Sequence, residues 1–434
     1  MSGNSSTAAT RLKKMISLAL ALSALASPTF VAAATQAELE ARVQALSEQL
    51  DALKGELAQL KSQHEAPVPS TPSGVTPVIA GNPGGTQSLQ FFGYGELNYS
   101  RPRDAASATS ADVGRFVIGL GFRFDERTRF VSELELEHAV SSSSDPGEIE
   151  VEQAYIEREI TNGIYAKGGL LLIPSGMLNE SHEPTRYYGV FRNFVETAII
   201  PTTWREGGLA VQGRTAGGLR WDVGVTTGFD LSKWDATASD GQESPLGSIH
   251  QELALARAKQ LSGFAALNYT GMAGLTLGAS VFTGGAGQGQ PGFEDAKVTL
   301  WEGHGRWTPG RWDLAGLYAH GHISDTQQIN TTLVGNPTLI PENFFGWYLQ
   351  TAYRMFDAGS WSLTPFVRYE RFNTASSYTL IAAGLTPDVL LDQKVWTAGV
   401  NLMIAPGVVV KADYLEFENT PAGDRFDLGV GYQF

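Results

Sequence analysis

Residues 113–124 read VGRFVIGLGFRF, and this stretch decides the fold class. Large apolar side chains occupy every second position from Phe116 to Phe124, and Arg115, Gly119, Gly121 and Arg123 fall on the other face. Successive side chains of a β-strand point to opposite faces. The alternation therefore predicts a strand that has one apolar and one polar face.

The same alternation recurs across residues 88–434, and it predicts about sixteen antiparallel strands, with fourteen or eighteen as alternatives. It is least regular near 149–160 and 259–283. Short turns are predicted at 125–127, 161–163, 216–218, 309–310 and 406–407, and long loops at 233–257, 284–295, 324–341 and 373–392. Alternating short turns and long loops, with apolar residues facing outward, are typical of an all-β transmembrane barrel. A soluble all-β protein is the alternative, but its apolar side chains would have to face inward.

The C-terminal strand carries five apolar residues on one face and ends at the chain terminus. These residues are Phe426, Leu428, Val430, Tyr432 and Phe434. A terminal strand that ends in an aromatic residue resembles the signal read by the outer-membrane assembly machinery. We therefore expect Phe434 to contact that machinery, and we expect this strand to pair with the first strand and close the barrel.

The composition excludes several kinds of site. The chain has 434 residues, a formal net charge of −14 and no cysteine, so it contains neither a disulfide framework nor a cysteine-ligated metal. Basic residues do not cluster beyond the N-terminus, which argues against binding to nucleic acid. No nucleophile with its catalytic partners is recognisable, so we predict neither an enzyme nor a bound cofactor.

The segments before the barrel have three different characters. Residues 1–34 have a basic start, a short apolar run and three closing alanines, which predict a secretory signal peptide. Residues 35–65 carry leucines and one valine at heptad spacing, which predicts a coiled coil. An amphipathic helix docked on its own domain is the alternative. Residues 66–87 are rich in proline and glycine and are interpreted as a linker.

Residues 175–207 form the longest segment without strand alternation that still keeps many apolar residues. A segment of this length in a compact domain is usually functional or disordered. Its aromatic residues, among them Tyr187, Tyr188 and Trp204, argue against disorder. We expect the segment to fold into the lumen of the barrel, and the alternative is an outside loop that packs on a neighbouring subunit.

Several short motifs in this part of the chain carry a family resemblance. They are EQAYIE at 152–157, GLLLIP at 169–174, LNE at 178–180, HEP at 182–184, VET at 195–197 and IPTTWREGG at 200–208. Together they resemble the phosphate-selective porin O/P family, whose relatives often carry an N-terminal coiled coil. The resemblance implies a trimeric pore of sixteen strands in the outer membrane, with its third extracellular loop folded inward.

The solute does not follow from this resemblance. Phosphate selectivity in that family depends on lumenal arginines and lysines, whereas the alternation here turns basic and acidic residues inward in nearly equal numbers. Charged rings in a lumen set ion preference. We therefore predict a weakly selective homotrimeric channel for small hydrophilic solutes and ions, surrounded by outer-membrane lipids. A phosphate-, anion- or sugar-specific channel and a structural protein that tethers the membrane to the cell wall are the alternatives.

A constriction is predicted where the inward loop faces the barrel wall. Opposed positive and negative groups there would set up a field across the pore. The predicted loop residues are Glu180, Glu183, Arg186, Arg192 and Arg205, and the predicted wall residues are Arg115, Arg123, Arg354 and Arg368.

Two groups of possible metal ligands are interpreted without a metal. The first contains three histidines on neighbouring strands, and the second is an acidic strand end. The members are His304, His320 and His322, and then Glu148, Glu150 and Glu152. We interpret the first group as polar lumen residues and the second as a solvated strand end.

Overall fold

The computed structural model describes residues 88–434, together with the strand at Val78–Gly81 and the single residue Gln44. The predicted signal peptide and, apart from Gln44, the predicted coiled coil lie outside the described residues. Within the predicted linker, Val78–Gly81 forms strand β1, which pairs antiparallel with the strand that starts at Ser88.

Strands dominate the described part of the chain. After β1 they are β2 Ser88–Pro102, β3 Ser110–Arg123, β4 Thr128–Glu137, β5 Ile149–Thr161, β6 Ile164–Leu172, β7 Arg205–Arg214, β8 Leu219–Thr226, β9 Ser262–Met272, β10 Leu275–Gly285, β11 Lys297–Trp307, β12 Trp312–Ser324, β13 Asn343–Tyr353, β14 Phe356–Ala358, β15 Trp361–Ser377, β16 Gln393–Ala405, β17 Val408–Phe417 and β18 Arg425–Gln433. Apart from the short β1 and β14, sixteen of these strands make up the ring, as predicted.

The last strand closes the ring against the first long one. Strand β18 pairs antiparallel with β2 from Arg425 opposite Pro102 to Gln433 opposite Tyr94. The backbone N–H of Phe434 donates to the carbonyl of Gly93 at 2.9 Å, and the N–H of Gly93 donates back at 3.0 Å. Closure satisfies the backbone groups that an open sheet edge would leave unpaired. The predicted pairing of the terminal strand is confirmed.

The faces of β3 follow the predicted alternation. Arg115 and Val117 are buried on the inner face, whereas Ile118 on the outer face is 45% exposed. The same outward exposure of leucines recurs at Leu209 on β7 and Leu349 on β13. Apolar side chains therefore cover the outside of the ring, as in barrels that contact lipid.

Connections alternate between the two ends of the ring. The predicted short turns join β3 to β4, β5 to β6, β7 to β8, β11 to β12 and β16 to β17. Gly163, Gly218 and Gly407 in these turns have positive φ angles of 75–82°, which glycine adopts without a steric penalty. The long connections lie at the other end. The third of them, residues 173–204 between β6 and β7, is called the inward loop below.

Apolar residues from a long loop and from strand β10 form a cluster beside the end of the inward loop. The ring of Trp204 stacks on Phe229 with centroids 5.2 Å apart and meets the edge of Phe282 at 4.5 Å, and all three side chains are buried. Two short helices, α1 at Asp240–Glu243 and α2 at Thr326–Leu333, lie in these long loops. This packing fixes the point at which the inward loop rejoins the wall.

No helix in the described part of the chain is long and apolar enough to cross a membrane.

Candidate functional site

The inward loop contacts side chains from strands all round the ring. The hydroxyl of Tyr187 donates to Glu96 on β2 at 2.6 Å, and that of Tyr188 donates to Asp313 on β12 at 3.0 Å. The backbone N–H of Val190 donates to Asp413 on β17 at 2.6 Å. The loop leaves the ring between β6 and β7, so these distant contacts place it inside the barrel.

One asparagine holds the two ends of the inward loop together. The side-chain amide of Asn179 donates to the carbonyls of Ile173 and Trp204 at 2.7 and 2.8 Å. Its oxygen accepts the N–H of Trp204 at 2.6 Å. Asn179 is buried, and both ends of its amide are therefore matched by backbone groups. These bonds fix the neck of the loop before the chain crosses the lumen.

One carboxylate links the first part of the inward loop to its last part. Glu196 accepts the backbone N–H groups of Met177 and Leu178, each at 2.7 Å, and the side-chain amide of Asn193 at 3.0 Å. It lies in a π-helical turn at Val195–Ile199. The carboxylate therefore joins the beginning of the loop to its far end.

Two of the predicted wall arginines hold the loop. Arg115 on β3 pairs with Glu96 at 2.8 Å and donates to the carbonyl of His182 at 2.5 Å. Arg368 on β15 pairs with Glu370 at 2.7 Å and donates to the carbonyl of Tyr188 at 3.1 Å. Both side chains are buried, so they attach the loop to the wall.

The other two predicted wall arginines lie at or just beyond the ends of their strands. Arg123 is the last residue of β3, beside a short turn, opposite Arg129 in the strand register. Arg354 follows β13 in the turn before β14, where its side chain is 58% exposed and lies 3.6 Å from Asp357. Neither makes a described contact with the inward loop.

Three predicted loop residues form ion pairs. Glu180 accepts Arg220 of β8, with both carboxylate oxygens 2.7 Å from the same guanidinium nitrogen. Glu183 and Arg186 are three residues apart in sequence and form an ion pair, with 3.8 Å between Oε2 of the glutamate and Nε of the arginine. Burial raises the pKa of Glu180, but the charges of Arg220 and Lys167 and the hydrogen bond from Arg220 together outweigh burial, and the pKa lies below its usual value.

The last two predicted loop residues differ in their burial and in their charged partners. Arg205 begins β7 and is 2% exposed, and its guanidinium pairs with Glu150 and with Glu252, the latter at 2.7 Å. Arg192 is only half-buried and donates to the hydroxyl of Thr203 at 3.1 Å. Among the described residues no carboxylate oxygen lies within 4 Å of its guanidinium.

Charged groups of both signs act on Arg192, with Arg115 opposed by Glu96 and Glu135. Burial and the charge of Arg115 both lower the pKa of Arg192, yet a guanidinium stays charged in proteins. The ammonium group of Lys411 on β17 lies 3.7 Å from the ring centroid of Tyr187, over its face. A cation over an aromatic ring is stabilised by the ring quadrupole. Lys411 was predicted to face inward but was not selected as part of the constriction.

The sequence analysis did not bring together the members of a second cluster. Glu133 of β4, Glu152 of β5 and His182 of the inward loop are buried together, and the hydroxyl of Tyr94 joins them. The prediction of a solvated strand end at Glu152 is wrong, because this side chain is completely buried. The two motifs that contain Glu152 and His182 were the available hint that these two residues lie together.

Comparisons of sequence do not assign a family to this chain. No family model matches the chain. A protein described as uncharacterized from Aquifex aeolicus (strain VF5) is 29% identical over 369 residues, which cover 80% of each chain. The resemblance to the phosphate-selective porin O/P family therefore stays a prediction.

Solved structures of outer-membrane proteins are similar at low identity. Salmonella typhi OmpF, in a complex with daunomycin, has a TM-score of 0.55 and 14% identity over 80% of this chain and 98% of its own. The outer-membrane channel DcaP of Acinetobacter baumannii has a TM-score of 0.51 and 12% identity over 80% of this chain and 97% of its own. A loop-deletion mutant of Vibrio cholerae OmpT also has a TM-score of 0.51 and 12% identity, over 81% of this chain and 100% of its own. The chain thus has the barrel fold of outer-membrane porins.

Proposed function

We propose that this chain forms a passive channel for small hydrophilic solutes and ions in a bacterial outer membrane, and that the inward loop sets its narrowest part. The observation that carries the proposal is the course of this loop, which crosses a closed ring and binds inward-facing side chains as far away as Asp313 and Asp413. A long loop that packs against the lumenal wall narrows the passage through the barrel and leaves the ring of strands intact.

The pairing of charges supports weak selectivity. The lumenal guanidinium groups of Arg115, Arg220 and Arg368 each lie within 3 Å of a carboxylate oxygen. A cation that is already paired attracts a passing anion less strongly than an unpaired one. Arg192 has no such carboxylate partner among the described residues, so we assign it the main contribution to ion preference.

A substrate-specific channel for phosphate, other anions or sugars is the second candidate. The motifs shared with the phosphate-selective porin O/P family favour it. Against it stands the same pairing of arginines, because a ladder of phosphate sites needs guanidinium groups that are not already bound to carboxylates. A structural tether to the cell wall is the third candidate, and it would use the N-terminal segments.

Single-channel recording of the purified full-length protein in planar bilayers tests the proposal. We expect ohmic steps of conductance with a modest preference for one sign of ion. Conductance that saturates, or that phosphate or a maltooligosaccharide blocks, would replace the diffusion channel by the specific one. If correctly folded protein in the bilayer gives no conductance, the channel proposal is wrong and the tether is favoured.

We further propose that residues 1–34 are removed on export, that residues 35–65 form a coiled coil, and that three chains assemble. The strict heptad spacing of the leucines supports the coiled coil, since such a seam packs against a partner helix. N-terminal sequencing of the protein from outer membranes tests the cleavage. Chemical cross-linking of the full chain, compared with a chain that lacks residues 35–65, tests whether the coil contributes to a trimer.

A further inference from the structure

We propose that Glu133, Glu152 and His182 bind one divalent transition-metal cation inside the barrel, where the inward loop meets the wall. One ligand atom from each of these three residues lies within 4.8 Å of the others. The exposed fractions are 8% for Glu133, 0% for Glu152 and 3% for His182. Three converging ligand atoms in a buried position are what a metal site requires of a protein.

The backbone explains why two strands present carboxylates to the same point. Glu133 of β4 lies opposite Gln153 of β5, but the next residue of β4, Leu134, lies opposite Val151. Glu152 is therefore the extra residue of a β-bulge. A bulge reorients a side chain that regular alternation would place elsewhere. Here it brings the Glu152 carboxylate beside that of Glu133.

The tautomer of His182 is fixed by the loop. Its Nδ1 lies 2.9 Å from the carbonyl oxygen of Asn179, which can only accept a hydrogen bond, so Nδ1 carries the proton. The other ring nitrogen, Nε2, then points into the cluster and lies 3.3 Å from Oε1 of Glu152. Metal-binding histidines commonly donate their remote N–H to a backbone carbonyl in this way.

The hydroxyl of Tyr94 leaves Nε2 in need of a partner. This hydroxyl is 2.7 Å from Oε2 of Glu152 and 2.7 Å from Nε2 of His182. It has one proton, and when that proton is donated to the carboxylate, none is left for the nitrogen. Nε2 then needs either a proton of its own or a metal ion.

One buried carboxylate oxygen of the cluster lacks a hydrogen-bond donor. Oε1 of Glu152 has no hydrogen-bond partner although it is fully buried, and Glu135, on the same face of β4, is only 2% exposed. The neighbouring guanidinium of Arg115 donates to Glu96 and to a loop carbonyl, so its single positive charge is shared between Glu96 and the carboxylates of the cluster. A buried, uncompensated carboxylate is costly. A divalent cation bound by two carboxylates would remove this cost.

The donor set selects the class of metal. One imidazole nitrogen and two carboxylate oxygens suit zinc and the neighbouring first-row ions, whereas calcium and magnesium favour all-oxygen sites. Three protein ligands leave a position open to water or to a solute in the lumen. Because His182 belongs to the inward loop and the glutamates belong to the wall, the ion would fasten the loop to β4 and β5.

Zinc binding to the full-length protein in detergent tests this site. After treatment with a chelator, the protein is titrated with zinc chloride in a calorimeter, and we expect one ion per chain. His182→Gln and Glu152→Gln should each weaken binding by about tenfold or more. His322→Gln is the matched control, because His322 is a histidine of the wall strand β12 outside the cluster, and it should bind zinc as the original chain does.

Two further measurements keep the test decisive. Each variant is first checked for the mobility shift on heating that a folded barrel gives in SDS gels, and Glu133→Gln replaces any variant that fails this check. Magnesium chloride in place of zinc should give no heat of binding. The proposal is overturned if the folded variants bind zinc as tightly as the original chain, or if the original chain binds none, in which case Nε2 of His182 carries a proton.

Discussion

The hydroxyl of Tyr348 donates a hydrogen bond of 2.8 Å to the carboxylate of Glu196, which lies 152 residues away in the chain. Tyr348 belongs to the wall strand β13 and is 4% exposed, and Glu196 belongs to the inward loop and is equally buried. The same carboxylate also accepts the N–H groups of Met177 and Leu178. The Glu196 side chain therefore takes part both in the internal structure of the loop and in its attachment to the wall.

Removing this attachment should loosen the loop. Tyr348→Phe deletes one donor to a charged acceptor, which should cost about 1.5 kcal/mol of unfolding free energy. Glu196→Ala should cost more, because several buried donors lose their acceptor at once. The midpoint of the heat-induced mobility shift in SDS gels measures both effects. Tyr318→Phe is the matched control, since Tyr318 lies on the outer face with 38% exposure, and equal effects of the two tyrosine changes would contradict the role of Tyr348.

Arg192 and Arg205 should respond differently to replacement by alanine. Arg192→Ala should shift the reversal potential in a salt gradient toward cation preference, because it removes a lumenal charge that has no carboxylate oxygen within 4 Å among the described residues. Arg192→Lys keeps the charge and should keep the preference. A reversal potential that Arg192→Ala leaves unchanged would remove this residue from the constriction.

Arg205→Ala should instead destabilise the barrel. The change leaves the carboxylates of Glu150 and Glu252 without their shared partner. Loss of one member of a buried ion pair costs about 3–5 kcal/mol, and Arg205 is 2% exposed. The heat-modification midpoint should fall while the reversal potential of the remaining folded channels stays close to the original. A large change in ion preference with unaltered stability would contradict this assignment.

The ring could be predicted from sequence because alternation is local, whereas the contacts of the inward loop are not. The faces of β3 follow from residues 113–124 alone. The position of Glu152 does not, because the bulge in β5 interrupts the alternation in one of the two regions where it is least regular. Arg354 likewise lies just past the end of β13, where alternation no longer defines a face. Pairs such as Tyr348 and Glu196 depend on the curvature of the closed ring, which no local pattern specifies.

Acid should weaken the tie between the loop and β8. Burial raises the pKa of Glu180, but the charges of Arg220 and Lys167 and the hydrogen bond from Arg220 together lower it by more, so its folded value lies below the ordinary 4.5. A carboxylate with a lowered pKa contributes stability above its unfolded pKa and loses it as the pH falls through its folded pKa. The temperature at the midpoint of the heat-induced mobility shift should therefore decrease in the original chain when the pH drops below about 4.5.

Glu180→Gln supplies the comparison for this pH dependence. The amide cannot titrate, so the difference in midpoint between the original chain and the variant should shrink as the pH falls. In a chain that already carries Arg220→Met, adding Glu180→Gln should change the midpoint little even at neutral pH. The glutamate in that chain has already lost its partner at 2.7 Å. A constant difference between the two chains from neutral to acid pH would show that Glu180 does not carry this dependence.

The terminal residue should act both in closing the ring and in assembly, and two variants separate these roles. Deletion of Phe434 removes its two backbone hydrogen bonds with Gly93 and also its aromatic ring. Phe434→Ala removes only the ring and leaves both bonds available.

If the assembly machinery reads the ring, both variants should reach the outer membrane of cells at similarly reduced levels, while both still refold in detergent into heat-modifiable barrels. Immunoblots of outer-membrane fractions measure the first effect, and Phe434→Tyr, which keeps a terminal aromatic ring, is the control. Original levels of Phe434→Ala together with reduced levels of the deletion would assign the whole effect to closure of the strand edge.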